Sequence, residues 1–373
     1  MRIVMFCHSL RSDWNHGNAH FLRGVASELL ARGHDVVVHE PHDAWSAQNL
    51  IAERGARALE DFRRVYPQLS SVRDDRVIDL NEALDGAELV LVHEWNAHAL
   101  VKRIGDHRAS VGGYRLFFHD THHRSVTEPE SMAAYDLRDY DGVLAFGAVI
   151  RDVYVNRGWA ERAWTWQEAA DVRVFHPRAR AVREGDLVWI GNWGDGERAD
   201  ELEEFLVDPV MALRLQARIH GVRYPEHART MLARAGIEYA GWLPNYEAPA
   251  VFSRFDVTIH VPRRPYARAL PGIPTIRVFE AMACGIPLIS APWDDSERLF
   301  TPGEDYLVAR TGAEMRRHLR DVLHDAQLAE SLVMRAFSTI HKRHTCAHRV
   351  NELLAIMREL GSVPSTLARA VAV

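Results

Sequence analysis

The chain lacks most of the features that would settle its chemistry at once. Its 373 residues include three cysteines, Cys7, Cys284 and Cys346, far apart and without a CxxC pair. That spacing argues against a disulfide framework and a cysteine-based zinc site, and it fits a reducing cytoplasm. No apolar run approaches the roughly 20 residues of a membrane helix. The opening Met-Arg-Ile-Val-Met-Phe-Cys-His lacks the apolar core and cleavage site of a signal peptide. The expected location is therefore cytoplasmic, with peripheral membrane contact left open. A basic excess is missing too: the formal net charge is −6, which gives no global case for nucleic acid. Lysine occurs only at Lys102 and Lys342. There is no GxGxxG, which disfavours a dinucleotide oxidoreductase, and no HExxH.

What is present is the composition of a soluble globular protein, 47% hydrophobic and 26% charged. At this length it suffices for two domains with ample cores. Residues 3–7 read as a buried strand, followed by a polar loop to Asn18. A helix to about Arg32 carries Leu22, Val25, Ala26, Leu29 and Leu30 at helical spacing, with Gly33 as its stop. Further strands are expected at 36–38, 89–93, 116–118, 143–146 and 164–167. This alternation is the pattern of a parallel, doubly wound sheet. Residues 49–80 interrupt it and read as a charged, helical surface insertion or an extended crossover helix. Residues 171–186, rich in Arg, Pro, Glu and Gly, are the linker candidate. A second α/β series follows, with strands expected at 187–190, 213–220, 237–240 and 257–261. Helices are expected at 312–323, 326–343 and 347–360, then a loose end over 362–373. The domain expectation is 1–175, 176–346, and a terminal helix with its tail over 347–373.

In open α/β sheets, ligands gather beyond the C-terminal ends of strands. His16, Gly17 and Asn18 follow the first strand. Asn18 suits a plain helix N-cap as well as an acceptor-binding loop. His93-Glu94-Trp95-Asn96 and His119-Asp120-Thr121-His122-His123 follow two others. Polar groups this dense at a strand end are costly unless solvated or used, so His119 and Asp120 are candidates for proton transfer or hydroxyl binding. Neighbouring histidines seldom point the same way, so no metal site is expected there. In the second half, Gly191 and Asn192 open a glycine-rich turn ending at Arg198. Trp242 and Leu243 sit in a Gly-Trp-Leu-Pro turn, where a core tryptophan is an equal alternative to base binding. Arg263 and Arg264 follow another strand and suit a diphosphate or a solvated basic loop.

The densest stretch is PGIPTIRVFEAMACGIPLIS, residues 271–290. A Pro/Gly loop leads into a short helix with Thr275 as N-cap, and then a strand. Its free N–H groups at Thr275, Ile276 and Arg277 suit an anion such as phosphate. Glu280, the lone carboxylate, suits a ribose hydroxyl pair. The alternative is an ordinary corner with Glu280 in solvent.

Arg277-Val-Phe-Glu280-Ala-Met-Ala-Cys-Gly285-Ile-Pro-Leu-Ile resembles the EAMACGxPVI segment of group 1 (GT4-like) and CgeB-like glycosyltransferases. Leu29 to Val36 resembles their L-x-x-RGH-x-V, Asp171 to Pro177 their D-x-x-x-F-x-P, and Gly241 to Pro244 their base-holding turn. The ordered set spans roughly residues 1–355. The resemblance implies an α/β GT-B fold: two Rossmann-like domains facing a central cleft, with a C-terminal helix crossing back to the first. It implies transfer of a sugar from a nucleotide-diphosphate donor to a glycan, lipid-linked or small-molecule acceptor hydroxyl, without a cofactor or metal and with retention. Glu280 would hold the ribose, residues 275–277 with Arg198 and Arg263 the diphosphate, and Gly191, Asn192, Trp242 and Leu243 the nucleotide. His119 falls where such enzymes place a histidine near the sugar. His16, Gly17, Asn18 and Trp95 would face the acceptor. The first carboxylate of the group 1 E-x7-E falls on Gly272, so the CgeB-like branch fits better. The rival readings are a non-catalytic sugar-nucleotide-binding protein and a GT-B-like epimerase. The scarcity of lysine ranks a phosphorylase lower.

Overall fold

A computed structural model describes residues 1–70, 72–75, 78–179 and 182–361; the expected loose end at 362–373 lies outside the described residues. The chain divides into two compact units, Met1–Glu168 with the segment from Cys346 onward, and Ala169–Thr345. The sequence-based joins lay at 175 and 346. Residues 169–175 go with the second unit because Phe175 is fully buried, its N–H bonds to Asp171 O, and Ala170 bridges to Thr345.

The first unit is built on strands β1 (Arg2–Phe6), β2 (Asp35–Pro41), β3 (Val72–Asp75), β4 (Leu89–His93), β5 (Arg115–Asp120), β6 (Gly142–Ala145) and β7 (Ala163–Thr165). They form one sheet in the order β3-β2-β1-β4-β5-β6-β7, and every pairing is parallel. β4 and β5 are buried along their whole length, as strands covered on both faces must be. The register sets Phe6 beside Val92, and His93 beside His119. The strand order reverses between β1 and β4, which is where a doubly wound sheet opens a crevice. The segment 49–80 is more than an insertion. Two helices, Trp45–Arg54 and Arg57–Val65, lead into β3, which extends the sheet at its edge. Its Val-Arg-Asp-Asp sequence has no apolar alternation, so pattern alone could not reveal it.

The helix Cys346–Glu359 belongs to this first unit although it comes from the far end of the chain. It buries Val350, Leu353 and Ile356. Trp166 Nε1 donates to Arg349 O at 2.7 Å, Arg32 to Asn351 Oδ1 at 2.7 Å, and Arg115 to Leu360 O at 2.6 Å.

The second unit carries β8 (Gly185–Ile190), β9 (Ala217–His220), β10 (Glu238–Tyr239), β11 (Phe255–His260), β12 (Leu288–Ser290) and β13 (Leu307–Val308). Their order is β10-β9-β8-β11-β12-β13, again all parallel. Leu187, Trp189, Ile219, Val257, Ile259 and Ile289 meet Met315 and Leu319 in its core. Each such side chain contributes roughly 1.5–3 kcal/mol. The strand expected at 213–220 is shorter: Asp208–Leu213 is helical, and Arg214 stops that helix in the left-handed conformation. Helix Ile276–Cys284 buries every residue except Arg277 and ends at Gly285, with φ of +70°. A helix with so many apolar side chains has to be enclosed. Among the described residues no helix is long and apolar enough to cross a membrane.

Candidate functional site

In the second unit the strand ends converge on backbone-rich turns. Gly191 N–H bonds to His220 O, and Gly221 N–H to Gly241 O, each at 2.8 Å. These bonds stitch the turns after β8, β9 and β10 side by side. Tyr224 donates to Gly191 O at 2.9 Å, and Asn192 Oδ1 accepts from Val222 N–H at 3.0 Å. A Cβ on Gly221 would lie 2.1 Å from Gly191 O, so only glycine permits this approach. Trp242 and Leu243, half-buried, follow β10.

Arg198 opens the next helical segment from beneath. It is buried, with its guanidinium carbon 5.0 Å from the Trp189 ring centre. Nη1 donates to Val261 O at 2.7 Å and Nη2 to Asn192 O at 2.5 Å, while Nε has no partner. Gly194, with φ of +80°, lies between this Nε and that of Arg263: a Cβ there would meet them at 3.1 and 3.3 Å. Burial first, then the nearby Arg263 charge, bring the Arg198 pKa down to about 9; Arg277 adds to the repulsion. Arg263 leans on Glu197 at 3.4 Å. Two like charges beside a buried, incompletely bonded guanidinium constitute a site for an anion.

The helix Ile276–Cys284 presents its N-terminus here. Thr275 occupies the N-cap position, but its side chain makes no cap bond. Its Oγ1 is instead 3.1 Å from Nε2 of His260, whose Nδ1 meets Ser290 Oγ at 2.9 Å. Burial, then Arg198, push His260 down to about 3, so the ring is neutral and ties β11, β12 and the loop together. Sequence reasoning passed over His260; a polar residue closing a buried strand was the available signal. Ile276 is buried. Glu280 is fully buried rather than in solvent, and Arg277 donates to its Oε2.

In the first unit the strand ends bring histidines together. His8 follows β1, and His93 and His119 end or nearly end β4 and β5. Ring centres are 5.5 Å apart for His8 and His16, 6.0 Å for His16 and His93, and 5.5 Å for His93 and His119. Burial depresses all four, His119 to about 3 and His8 to about 4, and mutual repulsion adds to the effect for His16 and His93. His16 Nε2, His93 Nδ1 and His119 Nε2 are buried without partners. The His119 ring also meets Phe21 and Trp166. Among the described residues no group of three His, Cys, Asp or Glu side chains is placed to hold a metal ion.

Asp120 is fully buried with both oxygens engaged: Oδ1 accepts from His122 N–H at 3.0 Å and Oδ2 from Tyr154 O–H at 2.9 Å. Burial, then the Glu94 charge, raise its pKa well above the usual range. Asn18 is not a side-chain N-cap; its Nδ2 donates to Glu168 at 2.9 Å. Gly17, half-buried beside it, accepts from His20 N–H at 3.3 Å. Trp95 carries Arg124 over its face at 4.0 Å and meets His122 and Trp45. Glu94 accepts from Thr121 N–H at 2.8 Å and pairs with Arg124 at 3.0 Å, and His93 meets Thr121 Oγ1 at 3.0 Å. His8 and Arg124 were not singled out in sequence, because their partners come from other strands.

Residues 198–355 match a family described as Glycosyl transferase-like. No curated protein matches the chain significantly in sequence. Anabaena HepE, in a crystal structure with UDP, superposes with a TM-score of 0.68 at 14% identity, covering 96% of this chain and 100% of that one. Thermosynechococcus elongatus sucrose-phosphate synthase gives 0.65 at 13% identity over 96% and 99%. The DNA-modifying β-glucosyltransferase gives 0.61 at 13% over 97% and 100%. The fold is GT-B, as expected. The expectation of a glycosyltransferase enzyme is borne out at that level: the chain carries a glycosyltransferase family domain on a fold that glycosyltransferases share. The narrower CgeB-like assignment receives no support from these matches.

Proposed function

We propose that this protein transfers a sugar from a nucleoside-diphosphate sugar, in the first instance a UDP-sugar, to an acceptor hydroxyl, without a metal and with retention of anomeric configuration. The observation that carries this reading is the incompletely bonded, buried Arg198 beside Arg263, Arg277 and the N-terminus of helix Ile276–Cys284. When the bond between the anomeric carbon and the diphosphate breaks, negative charge develops on the leaving group. Fixed cations and a helix N-terminus stabilise that charge without reorganising, and they supply the neutralisation a metal would otherwise give. The UDP choice draws on Anabaena HepE, solved with UDP and with UDP-glucose.

Within this reading Trp242 and Leu243 border the base, Gly191 and Asn192 offer backbone to the nucleotide, and Glu280 holds the ribose once Arg277 turns to the diphosphate. His119, His16, Gly17, Asn18 and Trp95 serve the acceptor side of the first unit. An inverting reaction needs a carboxylate or imidazole base. Asp120, with both oxygens engaged and its pKa raised, is a positioning residue for the turn after β5, and this supports retention. Neutral His119 is then a hydrogen-bonding partner for a sugar hydroxyl.

The test is donor hydrolysis: UDP release from UDP-glucose by the purified protein, with the product anomer read by NMR. If no sugar nucleotide turns over and Glu280→Ala leaves nucleotide affinity unchanged, the reading fails.

A further inference from the structure

The loop that precedes helix Ile276–Cys284 is held by a second loop, the one following β12. Gly272 N–H donates to Asp294 O at 2.6 Å. Residues 295–298 then turn sharply: Arg298 N–H bonds to Asp295 O at 3.0 Å and Arg298 has φ of +53°. The Asp295 carboxylate fastens the turn, taking Leu299 N–H and Phe300 N–H at 2.9 Å each. Glu297 rides on it, half-buried. Its side chain fills the space beside Gly272. A Cβ on that glycine would lie 2.5 Å from Glu297 Cγ and 2.7 Å from Oε1. Gly272 also has φ of +87°, where side-chain-bearing residues are strained.

This places a carboxylate on a preorganised turn against the loop that feeds the anion site. Gly272 stands three residues before Thr275, at most roughly 11 Å along the chain. The sheet order gives direction. Trp242 follows β10 at one side, the arginines gather between β8 and β11, and the Glu297 turn follows β12 on the other side. A nucleotide sugar with its base toward Trp242 and its diphosphate at Arg198 directs its glycosyl group toward Glu297.

Resting on the nucleotide-sugar reading, we infer that Glu297 accepts hydrogen bonds from hydroxyl groups of the donor's sugar, and that Gly272 is the space this carboxylate requires. The sugar is then a neutral one: a carboxylate here attracts hydroxyl donors and repels the carboxylate of a uronic acid.

Calorimetric titration with UDP, UDP-glucose and UDP-glucuronic acid tests this. Wild type binds UDP-glucose more tightly than UDP-glucuronic acid. Glu297→Gln keeps its UDP affinity, loses about tenfold for UDP-glucose, the worth of one hydrogen bond to a charged acceptor, and narrows the discrimination against UDP-glucuronic acid. Gly272→Ala, which displaces the carboxylate, shows the same selective loss, with a thermal melt to establish that it is folded. If Glu297→Gln weakens UDP and UDP-glucose equally, or neither, Glu297 does not touch the sugar while the donor reading stands. If wild type binds no UDP, the donor reading falls and takes this inference with it.

Discussion

Arg198 and Asp120 show how burial assigns work to single residues. Arg198 is held over Trp189 by two carbonyls, and Gly194 lies between its remaining Nε and that of Arg263. Arg198→Met removes the charge and keeps the bulk. UDP affinity should fall by about ten- to a hundredfold, the range for a hydrogen bond between charged groups, as read by calorimetry. Asp120 makes the opposite case. Its pKa is raised in the folded state, so the folded protein binds more protons above pH 3.8, and its contribution to stability declines as pH rises through the folded value. Asp120→Asn should therefore melt higher than wild type at pH 8 and lose that advantage near pH 4. His119 has the reverse sign. Its pKa is lowered to about 3 from 6.5, so the unfolded chain binds more protons across that window and acid destabilises the fold. His119→Gln should flatten the fall in melting temperature between pH 6.5 and 4. Calorimetric scans of both variants check the two slopes.

At the scale of elements, the second unit depends on close backbone approach. The turns after β8 and β9 meet at Gly191 O and Gly221, where a Cβ would sit 2.1 Å from the carbonyl oxygen. Backbone cannot give way as a flexible side chain can. Gly221→Ala should cost about 3 kcal/mol or more, at the upper end for overpacking, and should weaken UDP binding because the same turns carry Asn192, the acceptor of Arg198. Denaturant unfolding and UDP titration read the two effects. Helix Ile276–Cys284 was legible in sequence from its apolar run, Thr275 and Gly285. That Thr275 caps nothing and instead hydrogen-bonds to His260 was not legible, because β11 lies outside any local window. The edge strand Val72–Asp75 was equally hidden: its identity comes from pairing with β2 rather than from its residues.

At the scale of the whole molecule, the helix Cys346–Glu359 completes a unit whose other residues end at Glu168. Ending the chain at Thr345 strips the cover from Trp166, Arg32 and Arg115. The first unit should lose stability while the UDP binding proposed for residues 191–280 persists; two-transition melting with and without UDP checks this, since a ligand raises only the stability of what it binds.

The periodicity of the sequence by itself determined two parallel α/β series, because apolar spacing and glycine stops act over a few residues. It also marked the 271–290 corner, where proline, glycine and a lone glutamate cluster. Tertiary structure alone decided which charges are buried. Glu280 lies under Arg277, Asp120 is bonded shut by Tyr154, and four histidines from distant loops and strands meet as neutral rings. It also decided that the space at Gly272, empty of a side chain in the sequence, holds the carboxylate of Glu297. Desolvation and contact depend on groups that only strand order brings together, and no local pattern records them.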